Sequence, residues 1–145
     1  MTRIITAALA YFLTVFGLGF ALGALRVLFV IPRIGETAAV LLELPVMLAA
    51  SWVAAGWCVR RFAVPPRTPA RLAMGLLAFA LVMAAELGLA VALFGQTAGE
   101  HFAAYRHFAG AIGLVAQLGY ALFPTLRRDG ARQHFVLNGP DRPIR

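Results

Sequence analysis

Long apolar runs and short polar or basic interruptions alternate along the chain four times. The runs extend from about Ile4 to Ile31, Glu36 to Cys58, Arg71 to Phe94 and Phe102 to Leu122. Each reaches the roughly 20 residues that an α-helix needs to cross the hydrocarbon core of a bilayer. The first, at about 28 residues, exceeds that length and predicts a helix that tilts or projects. Helix breakers fall between the runs. Pro32-Arg33-Ile34-Gly35 separates the first two, Pro65, Pro66 and Pro69 the next, Gly95 to Glu100 the last, and Pro124 follows the fourth. Backbone groups in lipid must be satisfied within the segment that carries them. The pattern therefore predicts an all-α, integral membrane four-helix bundle over residues 1–126, followed by a basic tail over residues 127–145.

Composition agrees: 145 residues at 61% hydrophobic and 13% charged do not describe a soluble domain. The formal charge of +7 comes from arginine, because the chain has no lysine. Such an excess could suggest nucleic acid, but the arginines cluster in loops and tails beside apolar segments, so no nucleic-acid partner is expected. Arg60, Arg61, Arg67 and Arg71 form a short, proline-stiffened connection that the positive-inside rule assigns to the cytoplasm. Arg3 and the five arginines of the tail agree with it. The expected topology is N-in/C-in, with anionic lipid head groups contacting that loop and the tail.

Met1-Thr2-Arg3 before a long apolar run has the outline of a signal peptide, with Ala21-Leu22-Gly23 as a weak cleavage site. The run continues well beyond a signal core, so it is expected to remain as an uncleaved first span. A single cysteine, Cys58, leaves no intrachain disulfide.

Ionisable residues inside the runs are the main chemical signal, since each is costly in hydrocarbon unless partnered. Arg26 lies eight positions before Ile34, and Glu43 nine positions after it. At about 1.5 Å of rise per residue, both sit roughly 12–14 Å below the turn, and an ion pair is expected. Glu86, nine residues before Gly95, falls at the same depth, and His107 slightly shallower. The four spans thus predict one polar layer of Arg26, Glu43, Glu86 and His107 in the outer half of the membrane. Ser51 and Gln117 are the main polar candidates expected in the inner half. Arg26 can neutralise one carboxylate; the other must be protonated, pair with a protonated His107, or hold a cation. Pro45, one turn from Glu43, frees a helix carbonyl and predicts a kink. Gly19 and Gly23, four apart, suit close packing of the first span against a neighbour.

No metal site is expected, because His101 and His107 are six apart and neither His-x-x-x-His nor Glu-x-x-His spacing occurs. There is no glycine-rich phosphate loop and no Gly-x-Ser-x-Gly, and Ser51 is the only serine. The residues point away from an enzyme and assign no cofactor.

Gly23-Ala24-Leu25-Arg26, Pro32-Arg33-x-Gly35-Glu36, Glu43-x-Pro45-x-Met47 and Arg71-x-Ala73-Met74-Gly75 together resemble a group of short bacterial four-span inner-membrane proteins without an assigned activity. The resemblance covers the first three spans and fades in the fourth and the tail. It implies the bacterial inner (cytoplasmic) membrane and carries over no activity or site residue. In size the chain is also similar to small multidrug exporters and fluoride channels. It departs from the first by having its acidic residues in spans 2 and 3 rather than span 1. It departs from the second by lacking a Gly-Thr-x-x-x-Asn run. The expected function is that of a small membrane protein whose buried polar cluster binds or moves a small ligand, ion or proton. The alternative is an accessory subunit of a larger membrane complex or a homo-oligomer.

Overall fold

The computed structural model describes residues 1–127, and the segment expected as a cytoplasmic tail lies, apart from Arg127, outside them. The described chain is helical. Helix α1 (Thr2–Leu25) runs into a π-helical stretch, Arg26–Val30, and closes with the single turn α2 (Ile31–Ile34). Gly35 then reverses the chain at φ +80°, a conformation open to glycine because it has no Cβ. Helix α3 (Glu36–Arg61) follows and continues through Pro45. After a short connection, α4 (Thr68–Phe94) ends at Gly95, which is left-handed at φ +63°, with the Gln96 amide donating to the Ala90 carbonyl at 3.0 Å. The short α5 (Ala98–Ala104) and α6 (Phe108–Leu126) complete the bundle. Four helices are long and apolar enough to cross a membrane: α1 with its extension, α3, α4 and α6.

The fourth span differs from expectation. It starts at Phe108 rather than Phe102, because residues 98–104 form a separate helix with its own N-terminal cap. The Thr97 hydroxyl accepts from the Glu100 amide at 3.2 Å, and the Glu100 carboxylate accepts from the Thr97 amide at 2.7 Å. This reciprocal cap satisfies two amides that would otherwise lack partners. It draws the Glu100 carboxyl below the usual carboxylate range, the backbone hydrogen bond from Thr97 being the first cause.

Packing runs around a ring, α1 against α3, α3 against α6, α6 against α4 and α4 against α1. Consecutive spans α3 and α4 are therefore diagonal, and the 62–67 connection crosses the end of the bundle between them. The dense core sits towards this tail end. There Ala7, Ala8, Ala55, Cys58, Met74 and Ala78 are completely buried, and small side chains let the helix backbones approach. At the centre, Tyr11 of α1 stacks on Tyr120 of α6 across the second diagonal, ring centroids 4.3 Å apart. The Tyr11 hydroxyl donates to the Tyr120 carbonyl at 3.0 Å. Gly75 brings α4 against the carbonyl of Ala121 so closely that a Cβ there would overlap it.

Two arginines expected at the lipid surface are instead built into this end. Arg71, 5% exposed, donates to the Arg127 carbonyl from within the bundle. The Arg127 guanidinium lies 4.3 Å from the centroid of the Trp52 ring and donates to the Trp52 carbonyl at 2.7 Å and 3.2 Å. It fits because Gly56 has no side chain: a Cβ there would stand 2.7 Å from its Cζ. Arg71 points inward because it shares the α4 face of Met74, Gly75, Ala78 and Val82, all of them buried.

Candidate functional site

Away from this core the bundle opens. Towards the end that holds Gly35 and the α4–α6 connection, the four spans surround a cavity of about 390 Å³. Its floor is Val15, Ser51 and Tyr120, and its walls rise to Glu36 and Tyr105. Glu36 opens α3 and is exposed, so the cavity reaches the solvent end of the bundle.

One side carries Arg26 and Glu43. Arg26 Nε lies 3.3 Å from Glu43 Oε2, with the side chains 30% and 17% exposed. The two atoms attract as an ion pair, but their alignment falls outside hydrogen-bond geometry, so both remain unsatisfied as donor and acceptor. Arg26 opens the π-helical stretch. Such a stretch widens the helix locally and often marks a functional position.

The opposite side carries Glu86 of α4. Gln117 of α6 donates its amide to Glu86 Oε1 at 2.6 Å, and the Tyr105 hydroxyl donates to Glu86 Oε2 at 3.4 Å. The same hydroxyl stands 3.2 Å from His101 Nε2 on α5. Burial, and then the charge of and hydrogen bond to Glu86, push the Tyr105 hydroxyl up to about 12. Gly110 lets the start of α6 pack under the Ala104 carbonyl, which fixes Tyr105 over the cavity.

Of the four residues expected in one polar layer, the structure brings Arg26, Glu43 and Glu86 around one cavity and leaves His107 out. His107 is exposed and precedes the first residue of α6, where its carbonyl accepts from Ala111 at 2.9 Å. The break between α5 and α6 turns it outward, and Tyr105 takes the place on the wall. Gln117, expected in the inner half, joins Glu86 instead. With α6 starting at Phe108, Gln117 lies nine residues in, about 13 Å deep and level with Glu86. Pro45 faces elsewhere, into an apolar surface groove with Val46, Ala49, Ala50, Val53 and Trp57.

The buried polar atoms without a hydrogen-bond partner include Arg26 Nε, Glu43 Oε2, Gln117 Oε1 and the Tyr120 hydroxyl. The first three belong to polar side chains of the cavity lining, with Arg26 Nε and Glu43 Oε2 facing each other, whereas the Tyr120 hydroxyl neighbours Cys58 of the buried core. Unsatisfied buried polar groups are rare in folded proteins, and a cluster of them around a void marks a place for water or a ligand.

Fold and site together define a multi-pass helical membrane bundle with a polar cavity at one end. No protein-family model, curated protein or solved structure matches the chain.

Proposed function

We propose that this chain is a small polytopic protein of the bacterial inner membrane, oriented N-in/C-in, whose outer-half cavity binds or moves a small ligand. The observation that carries the reading is a cavity of about 390 Å³ lined by the imperfectly aligned Arg26–Glu43 pair, by Glu86 and by Gln117, whose Oε1 has no hydrogen-bond partner. Residues that only hold helices in register pack against one another and satisfy their polar atoms without surrounding a void. The arginines of the 60–67 connection support the orientation, which turns the cavity mouth outward. The bundle then has a division of labour: a closed, small-residue core on the cytoplasmic side and a polar vestibule on the other. We propose no catalytic step.

A second reading is favoured by the apolar groove along α3. Ala49, Ala50, Val53 and Trp57 form the kind of small-plus-aromatic face that an accessory subunit offers to a larger membrane complex.

The experiment that separates the two uses Gly113, which lines the cavity and has open space where a Cβ would stand. Gly113→Cys should react with an impermeant trimethylammonium thiosulfonate added outside intact cells, while the parent with only the buried Cys58 should not. Reaction only after denaturation would show a sealed bundle and leave the accessory-subunit reading.

A further inference from the structure

The geometry points to a ligand class for this cavity: an organic cation that carries an N–H donor on an apolar body, with Glu86 as its counter-ion. This rests on the reading of the cavity as a ligand site and draws on three independent features of its lining.

The first is sign. Among the described residues, the lining holds the acidic side chains Glu36, Glu43 and Glu86 and, as its basic side chain, Arg26. Arg26 is engaged with Glu43. Glu86 has neutral partners, the Gln117 amide and the Tyr105 hydroxyl. Arg33 and Arg106, at the same end of the bundle, lie outside the lining. A cleft with one excess sign and low-dielectric walls concentrates ions of the opposite sign.

The second is the kind of hydrogen-bonding group left over. Arg26 Nε and Glu43 Oε2 face each other and offset one another, which leaves Gln117 Oε1, an acceptor, as the lining atom without a counterpart. The Glu86 carboxylate beside it is likewise an acceptor. A ligand that brings N–H donors suits these two groups, whereas an anion brings more acceptors.

The third is the wall. Phe16, Phe20, Leu44, Leu48 and Leu89 leave most of the surface apolar, and aromatic faces attract cations in desolvated sites. No three His, Cys, Asp or Glu residues among those described converge as a metal-binding set. A volume of about 390 Å³ lies in the range of small-molecule pockets, roughly 300–1,000 Å³, and accepts one ring with a short aminoalkyl arm.

The test compares two thiol probes of similar size on purified Gly113→Cys: aminoethyl thiosulfonate, a primary ammonium, and sulfonatoethyl thiosulfonate, an anion. Each rate is normalised to its rate with a free thiol. The cation should react at least about tenfold faster than the anion. Glu86→Gln, checked for an unchanged elution volume, should bring the ratio close to one. In the Glu86-intact protein, phenethylamine should protect the cysteine at lower concentration than its neutral analogue phenylethanol, and phenylacetate should protect least. Equal normalised rates, protection by phenylacetate at the lowest concentration, or a ratio unchanged by Glu86→Gln would overturn the cation assignment while leaving the cavity standing. Failure of both probes to react would instead remove the cavity reading itself.

Discussion

Replacing Arg26 and Glu43 by leucine, singly and together, asks whether the pair across the first hairpin acts as one unit. Two unit charges about 4 Å apart attract by about 4 kcal/mol at an effective dielectric near 20. Two features of the site reduce that figure. The side chains are 30% and 17% exposed, so solvent at the cavity mouth screens them, and the 3.3 Å contact lacks hydrogen-bond alignment. The pair thus lies between an exposed ion pair, worth less than about 1 kcal/mol, and a buried one whose breakage costs about 3–5 kcal/mol. A coupling energy of about 1–3 kcal/mol follows. Either single change strands a charge on the cavity wall without its partner, and the double change removes both. The assay is thermal unfolding of the purified protein in mild detergent, read as a double-mutant cycle. The double variant should melt higher than the sum of the two single losses requires. Strict additivity would show that the facing of Arg26 and Glu43 contributes nothing, and would make both available to a ligand independently.

Gly75→Ala should destabilise the bundle by about 1–3 kcal/mol, because the added methyl meets the Ala121 backbone rather than a side chain that can yield. Gly88→Ala, with open space at its Cβ, should leave the melting temperature unchanged or slightly raised, and equal losses for the two would contradict the α4–α6 contact. Thr97→Ala should raise the Glu100 carboxyl only part of the way towards its ordinary range in a carbon-detected NMR titration, since it removes the hydroxyl bond at 2.9 Å but keeps the backbone amide, the larger cause of the lowering. The sign follows from the depressed folded value. The cap's contribution is present above the unfolded value and is lost as pH falls through the folded one. Stability of Thr97→Ala should therefore show a smaller acid-side decline than the parent, and an unshifted Glu100 would refute the hydroxyl's part in the cap.

The Arg26–Glu43 contact and the four spans are legible in the sequence for a common physical reason. Helical rise is uniform, and a tight turn fixes the register on either side of it, so counting residues from Pro32-Arg33-Ile34-Gly35 gives depth. Counting fails where the starting point is wrong. Treating 102–122 as one span placed His107 in the wall and Gln117 too deep, although Thr97-Ala98-Gly99-Glu100 has the Ser/Thr-x-x-Glu spacing of a helix start. Recognising that cap moves the fourth span to Phe108 and brings Gln117 level with Glu86. Arg71 was hidden differently. Loop composition marked it as a surface cation, while its spacing with Met74, Gly75, Ala78 and Val82 put it on the buried face of α4. The Tyr11–Tyr120 stack joins residues 109 apart across a diagonal of the bundle, and no local pattern encodes such a contact.

A wet cavity at one end of the bundle and a dry core at the other each contain a native methionine that reports on water access. Met47 lines the cavity, Met74 is completely buried in the small-residue core, and Met1 at 98% exposure serves as the reference. Hydroxyl radicals generated from water by X-ray pulses oxidise methionine where water reaches it, and mass spectrometry reads the rate at each position. Oxidation of Met47 within about tenfold of Met1, with Met74 protected by at least another tenfold, is the predicted result on the ground that rate follows water access. Equal protection of Met47 and Met74 would mean that the cavity is dry, and would contradict a ligand site at Arg26, Glu43 and Glu86.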